Sequence, residues 1–296
     1  MRGTHPGRAL ERAVEQGGIV RKGDAVLVAC SGGSDSVGAA AILHAIAKPM
    51  QLQITLAHVN HGLRASAWQD EAVALRAGAA LGISVKTIAL TPERSDEATL
   101  RELRYEALST LARECGANVV ATGHNAEDQT ETVLLALFRG TGPQGLAGMP
   151  ARRELAQGVE LARPLLRFSR EEVRLYVQSA GLPYSIDPTN ARLAYRRNGV
   201  REALAALRPL FPGLDTAVAR AAQLVADDLV ESPQASLRRQ VRTTLREHQA
   251  LRDVDFEHVE AAVRTLERGG SGTFAMASGV VVTIENGELT VHREMR

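Results

Sequence analysis

The hexapeptide Ser31-Gly32-Gly33-Ser34-Asp35-Ser36 joins an apolar run, Ala25 to Cys30, to a helical pattern. Two adjacent glycines let backbone N–H groups approach an anion closely. Ser34, Asp35 and Ser36 suit the opening of a helix, where free N–H groups and the helix dipole attract phosphate. The Gly-Lys-Ser/Thr ending of a Walker A loop is absent, and so is a dinucleotide fingerprint. Asp35 beside a polyphosphate is repelled unless a cation stands between them. A Mg²⁺ ion shared by Asp35 and phosphate oxygens meets that need. The plainer reading is a capped turn with no ligand, and the strand-to-helix setting weighs against it.

A second group lies in Gly123-His-Asn-Ala-Glu-Asp-Gln-Thr-Glu-Thr132. Asp128 and Glu131 are three apart on an expected helix and therefore share a face. They suit pairing with a substrate ammonium, or they are ordinary acids near a helix start, favoured by its dipole. His124 has a reference pKa suited to proton transfer or to orienting a phosphate. Arg64 and Arg104 are candidate clamps for phosphate charge. His58 and His61 have metal-like spacing, but no Cys or acid lies nearby, so no zinc site is expected.

These residues need a scaffold, and the first half of the chain supplies the pattern for one. Strands are expected at 25–30, 53–59, 84–90 and 118–122. Helices are expected at 36–47, 68–81, 97–114 and 126–138. Four β-α units in series predict an α/β fold with a doubly wound parallel sheet. Ligands of such sheets bind at the carboxyl ends of the strands, where both groups above would lie. The Gly/Pro-rich stretch Gly140 to Pro150 reads as a binding loop or lid, or as a plain connector. A short strand near 159–161 and a helix at 169–179 follow. Pro209 and Pro212-Gly213 set the expected boundary between domains 1–212 and 213–296. Beyond it, helical patterns near 214–230, 235–250 and 254–268 precede strands near 273–276, 279–284 and 289–293. Asn286-Gly287 is a hairpin signal between the last two. The tail is expected to be a small α+β domain.

The 296 residues are 45% hydrophobic and 23% charged, which excludes a disordered chain. Two cysteines, Cys30 and Cys115, exclude a disulfide framework. No apolar run suggests a membrane span, and the N-terminus lacks a secretory pattern, so a cytoplasmic location is expected. Net charge is +1, but residues 151–212 carry 11 arginines against 6 acids. That excess suits RNA phosphate, although 32 of the 35 cations in the whole chain are arginine. Aromatic content of 3% argues against a base-stacking platform. Arg196, Arg197 and Arg201 spread around a helix, where they either hold RNA phosphates or pair with neighbours such as Glu202. Arg238, Arg239, Arg242 and Arg246 form one basic helix face.

SGGSDS after the first strand resembles the PP-loop of the ATP pyrophosphatases, which split ATP into AMP and pyrophosphate. Five further segments narrow the resemblance: His58-Val-Asn-His-Gly-Leu-Arg64, the segment at 123–132, Phe138-Arg139-Gly140, Asp187-Pro-Thr-Asn190 and Tyr195-Arg-Arg-Asn-Gly-Val-Arg201. Together they are similar to the tRNA(Ile)-lysidine synthetase family, from about residue 24 to 212. Where that family usually has His-His-x-Asp-Asp, this chain has His124-Asn-Ala-Glu-Asp128. The resemblance implies a PP-loop, Rossmann-like fold and an ATP-dependent carbon–nitrogen ligase. It would join L-lysine to carbon 2 of the wobble cytidine of a CAU-anticodon isoleucine tRNA through an adenylated intermediate. It implies ATP binding by Ser31, Gly32, Gly33, Ser34, Asp35 and Ser36, with Mg²⁺ at Asp35. It also implies catalytic roles for Asp35, Arg104, His124 and Asp128, and lysine binding by Glu131. Arg64, Arg196, Arg197, Arg201, Arg239 and Arg242 are the expected tRNA contacts, and a homodimer is expected. The alternatives are a PP-loop tRNA thiolase, for which CxxC is missing, a glutamine-dependent amidotransferase, and a silent nucleotide- or RNA-binding protein.

Overall fold

The structure is a computed structural model that describes residues 6–60, 67–91, 96–185, 195–230, 233–248, 256–275, 280–285 and 288–293. The chain forms two compact units, Met1–Ala222 and Gln223–Arg296. In the first, α1 (Pro6–Gln16) precedes β1 (Ala25–Ala29), α2 (Ser34–Met50), β2 (Gln53–Asn60) and α3 (Ala67–Leu81). Then come β3 (Val85–Ala89), α4 (Glu97–Glu114), β4 (Val119–Ala121), α5 (Ala126–Leu137) and the single turn α6 (Pro143–Leu146). The unit continues with β5 (Arg152–Ala156), β6 (Val159–Ala162), α7 (Arg170–Ser179) and α8 (Tyr195–Leu207). Helix α9 (Leu214–Leu229) carries the division between the units within it.

The six strands lie in the order β3-β2-β1-β4-β6-β5. All neighbours are parallel except β5 on β6. Strand order reverses between β1 and β4, so the loops that follow these two strands flank the switch-point crevice. Continuous apolar character in β1 reflects burial on both faces. Val26 and Val28 pack into the core that holds α2 and α7, whereas Leu27 packs with Leu108 and Leu111 of α4 on the opposite face. Helix α2 opens on one side of the sheet and α4 on the other, both near its carboxyl edge.

Strand β5 was not legible in advance. Its sequence, Arg-Arg-Glu-Leu-Ala, lacks apolar alternation because it is an edge strand with one neighbour. Helix α1 also escaped the reading. The Gly140–Pro150 stretch is neither bare connector nor detached lid. It contains α6, and the Gln129 amide on α5 ties down its far end. Nε2 donates to the Met149 carbonyl at 3.1 Å, and the Met149 N–H donates to Oε1 at 2.8 Å.

The second unit pairs helices α10 (Pro233–Glu247) and α11 (Phe256–Glu267) with an antiparallel sheet. Its strands are β7 (Gly272–Ala275), β8 (Val280–Glu285) and β9 (Glu288–Arg293), in that order. Val241, Leu245, Ala262, Val263, Val282 and Ile284 form its core. Glu285 pairs with Glu288, while Asn286-Gly287 lies outside the described residues. Arg238 departs from the expected basic face. It is drawn between Asp227 and Glu260, leaving Arg239 and Arg242 exposed on α10. The Arg246 side chain lies outside the described residues.

Close approach across the crevice depends on Gly123, which follows β4. A Cβ there would fall 2.6 Å from the Asp35 carbonyl carbon and oxygen and 2.8 Å from the Ser36 nitrogen. Those are backbone atoms with no freedom to turn away. Gly123→Ala should therefore destabilise the protein by about 2 kcal/mol. Gly142→Ala, which meets nothing within 4 Å, should be near neutral. Urea unfolding of the two variants checks this, and equal midpoints would overturn it.

Candidate active site

The loop after β1 is braced from within. The Ser36 hydroxyl donates to the Gly33 carbonyl at 2.9 Å and accepts from the Ser31 N–H at 3.1 Å. Gly32 has φ +90°, and a Cβ there would meet the Asp70 carbonyl oxygen at 2.9 Å, so only glycine fits. The Ser185 N–H donates to the Gly32 carbonyl at 2.8 Å, holding the loop from its other side. Helix α2 begins at Ser34 with Gly33 as N-cap, and no side chain caps it. Its first-turn N–H groups are thus the kind that receive phosphate oxygens. The Ser36 hydroxyl braces this cradle from within.

Asp35 sits in the first turn of α2 and meets the residues that follow β4. Its Oδ2 accepts from Asn125 Nδ2 at 3.0 Å and from Arg170 Nε at 3.2 Å. Its Oδ1 is buried and has no partner. A lone buried carboxylate oxygen beside an uncapped helix end suits a hard cation that also takes phosphate oxygens. Among the described residues no group of three His, Cys, Asp or Glu side chains stands together, so protein ligands alone would not complete such a sphere. Burial pushes the Asp35 carboxyl up, the Arg170 guanidinium pulls it down, and Asp128 pushes it up again.

Asn125 and Asp128 close the start of α5 with a capping box. Asn125 Oδ1 accepts from the Asp128 N–H, and Asp128 Oδ2 accepts from the Asn125 N–H, each at 3.1 Å. Asp128 Oδ1 then faces Arg170 Nη2 at 3.7 Å. Burial raises the Asp128 carboxyl, with Arg170 opposing. The Glu127 carboxylate accepts the Arg170 backbone N–H at 2.9 Å and so anchors the start of α7. The departures from the family pattern therefore have local duties: Asn125 orients Asp35, and Glu127 seats Arg170. Sequence reasoning missed Arg170, whose guanidinium bridges two carboxylates 93 positions apart in the chain. A lone arginine at a helix start carries no local signal for that.

Glu131 is 2% exposed. Its Oε2 accepts from Arg197 Nε at 3.0 Å and its Oε1 from Arg201 Nε at 2.7 Å. Both arginines come from α8, one turn apart, so that pair faces one way rather than spreading around the helix. Their partner is Glu131, not the neighbouring Glu202, and their Nε groups turn inward from any RNA surface. An ammonium would reach Glu131 only by sharing or displacing a guanidinium. Arg104 lies on α4 with its guanidinium 5.3 Å from the Tyr105 ring centre. Arg64, His61 and the segment Asp187 to Asn190 lie outside the described residues, as does the Arg196 side chain. His58 is buried, and its Nδ1 donates to the Cys30 carbonyl at 2.9 Å, a structural duty.

His124 lies just beyond β4. Its Nδ1 lies 2.8 Å from the Thr122 hydroxyl. Burial, then the cations Arg163, Arg104, Arg101 and Arg197, lower its pKa to about 3. This favours the neutral ring, which can donate one hydrogen bond and accept another at the site. The unfolded chain has the reference value of about 6.5 and binds the extra proton first. Acidification from pH 6.5 towards 3 therefore costs stability at this site. NMR of the ligand-free protein should find the His124 ring unprotonated down to pH 5. A midpoint near 6.5 would overturn this.

The PP-loop domain family model matches residues 4–207. The tRNA(Ile)-lysidine synthase of Salinispora arenicola is 45% identical over 231 residues, covering 75% of this chain and 69% of that relative. The synthase of Geobacter sulfurreducens is 33% identical over 319 residues, covering 94% of this chain and 67% of that relative. The Salinispora tropica synthase is 44% identical, with 69% of this chain matched to 62% of that relative. The match thus spans about two thirds of these relatives' length. Among solved structures, the U34-tRNA thiolase NcsA of Methanococcus maripaludis superposes with a TM-score of 0.63 at 19% identity, over 74% of this chain and 78% of that one. At that identity it attests the shared fold alone. With a PP-loop model over most of its length and curated synthases aligned along both units, the chain belongs to the tRNA(Ile)-lysidine synthase family of PP-loop proteins.

Proposed function

We propose that this protein joins L-lysine to carbon 2 of the wobble cytidine of a CAU-anticodon isoleucine tRNA at the expense of ATP. One observation carries the site assignment: the unpartnered buried Oδ1 of Asp35 beside the uncapped start of α2. Family membership supports the substrates. The cytidine carbon-2 oxygen attacks the α-phosphorus of ATP, and pyrophosphate leaves. The ε-amine of lysine then attacks carbon 2, the carbon–oxygen bond breaks, AMP departs, and the ammonium proton is lost. The product would read AUA rather than AUG.

The chain's residues divide this work. Backbone N–H groups at Gly33 to Ser36 receive the pyrophosphate oxygens, in a cradle braced by Ser31 and Ser36. Mg²⁺, held by Asp35 when bound, would neutralise polyphosphate charge. Arg170, released from Asp35 and Asp128 as ATP charge arrives, stabilises the same phosphates. His124, as a neutral ring, hydrogen-bonds near the α-phosphate, and Arg104 supplies positive charge. The lysine ammonium pairs with the acids of α5, reaching Asp128 first because Glu131 is already held by Arg197 and Arg201. Arg64 and Arg196 remain tRNA contacts in this reading, with Arg239 and Arg242 on the second unit. The active form is a homodimer working in the cytoplasm. No helix among the described residues is long and apolar enough to cross a membrane.

Pyrophosphate release with each substrate omitted in turn tests the reaction. Release should require the tRNA, and lysine should then appear in that tRNA. Release without lysine incorporation would favour another tRNA-modifying PP-loop chemistry. Asp35→Asn should lower release by about 100-fold or more while the fold is retained. Full activity would overturn the role of Asp35. Charge reversal at Arg239 and Arg242 should weaken tRNA binding and spare ATP affinity, and unchanged binding would remove them from the interface.

A further inference from the structure

Most arginines of the first unit whose charge is buried or half-buried meet a carboxylate. Arg152 pairs with Asp24, Arg170 with Asp35, Arg197 and Arg201 with Glu131, and Arg208 with Asp215. Four arginines around Tyr105, with Arg163 buried, Arg104 and Arg153 half-buried and Arg101 exposed, do not. Arg163 is 1% exposed, and its Nη1 donates to the Pro150 carbonyl at 2.6 Å. Its Nε is buried without a partner, as is the Tyr105 hydroxyl. The guanidinium carbons of Arg101, Arg104 and Arg153 lie 5.1, 5.3 and 5.6 Å from the Tyr105 ring centre. None of the four forms an ion pair among the described residues.

Burying a cation with no counter-charge is costly, and gathering three more beside it adds repulsion. The ring's negative face offsets part of that. The remaining positive field acts on its neighbours: it lowers the Tyr105 hydroxyl pKa against the pull of burial, and it adds to the depression of His124. Such a cluster is suited to an anion.

Its place in the fold says which anion. Arg101 and Arg104 lie in the first turns of α4, Arg163 directly follows β6, and Arg153 pairs opposite Leu161 near the end of β6. All four reach the carboxyl edge on the α4 face of the sheet. The nucleotide cradle opens from α2, which packs on the other face. We propose that Arg101, Arg153 and Arg163, around Tyr105 and beside the Arg104 already assigned to the reaction, form a second phosphate site that takes a phosphodiester of the RNA substrate beside the reacting cytidine. The identity of that substrate as tRNA rests on the function proposed above. The site requires only that RNA binds there.

The test uses the full chain carrying Arg101→Gln and Arg153→Gln, which leaves the buried Arg163 and the fold in place. A control chain carries Arg12→Gln and Arg174→Gln, with the same loss of charge elsewhere. Affinity for an isoleucine tRNA transcript is measured by anisotropy between 50 and 200 mM KCl, and affinity for ATP is measured separately. The double variant should bind tRNA about tenfold more weakly, with a salt slope shallower by about 1 to 2. Its ATP affinity should stay within twofold, and the control should match wild type in both. Unchanged tRNA affinity, an equal loss in the control, or a loss confined to ATP would each overturn the proposal, the last by assigning the cluster to the nucleotide. Failure of lysine incorporation leaves this binding test intact, so the two readings fall separately.

Discussion

Asp35 places a negative charge where the backbone is built to attract one. The uncapped start of α2 favours anions, and a carboxylate in its first turn competes with any phosphate that approaches. Much of the surrounding structure follows from holding that carboxylate in position. Gly123 brings the end of β4 against the Asp35 backbone. Asn125 and Arg170 take one carboxylate oxygen and leave the other unpartnered. Glu127 and Asp128, which hold Arg170 by its main chain and its side chain, belong to the same arrangement. The ligand-free site is thus balanced by an arginine at the place where substrate charge would arrive.

Arginine serves two purposes in this chain, and its partner decides which. Arg197 and Arg201 bind Glu131 and fasten α8 to α5, so their charge is largely consumed inside the protein. Arg238 does the same for the second unit. The cluster around Tyr105 keeps its charge. Net charge along the sequence cannot make this distinction, because an arginine in an ion pair and one awaiting a ligand count alike. The positive excess of residues 151–212 therefore says little about which cations are left without a carboxylate partner.

Much of the fold was legible because its signals are local. The apolar run of β1, the SGGSDS turn and the repeating β-α periodicity of the first half each depend on near neighbours in the chain. The four β-α units formed where expected, and over the described residues so did α10, α11 and the three strands of the second unit. The parts that escaped have no local signal. Strand β5 is an edge strand with charged residues, and α1 packs on α2 through an amphipathic stripe that the loop-like composition of the N-terminus disguised. The contacts of Gln129 with Met149 at the end of the Gly140–Pro150 stretch join residues 20 positions apart and have no local signal either.

For the site, sequence by itself determined the anion cradle, the acidic α5 start and the family. These are short motifs whose chemistry is set by residue type and by their position after a strand. Only tertiary structure decided what each charge faces. It turned Glu131 towards two guanidiniums, made His124 neutral, and brought Arg170 from α7 onto Asp35 and Asp128. It also collected four arginines from three separate segments around one tyrosine. The physical reason is that pKa and ion pairing depend on burial and on distances of a few ångströms, and those distances join residues far apart along the chain, from 66 positions for Glu131 and Arg197 to 135 for Asp35 and Arg170.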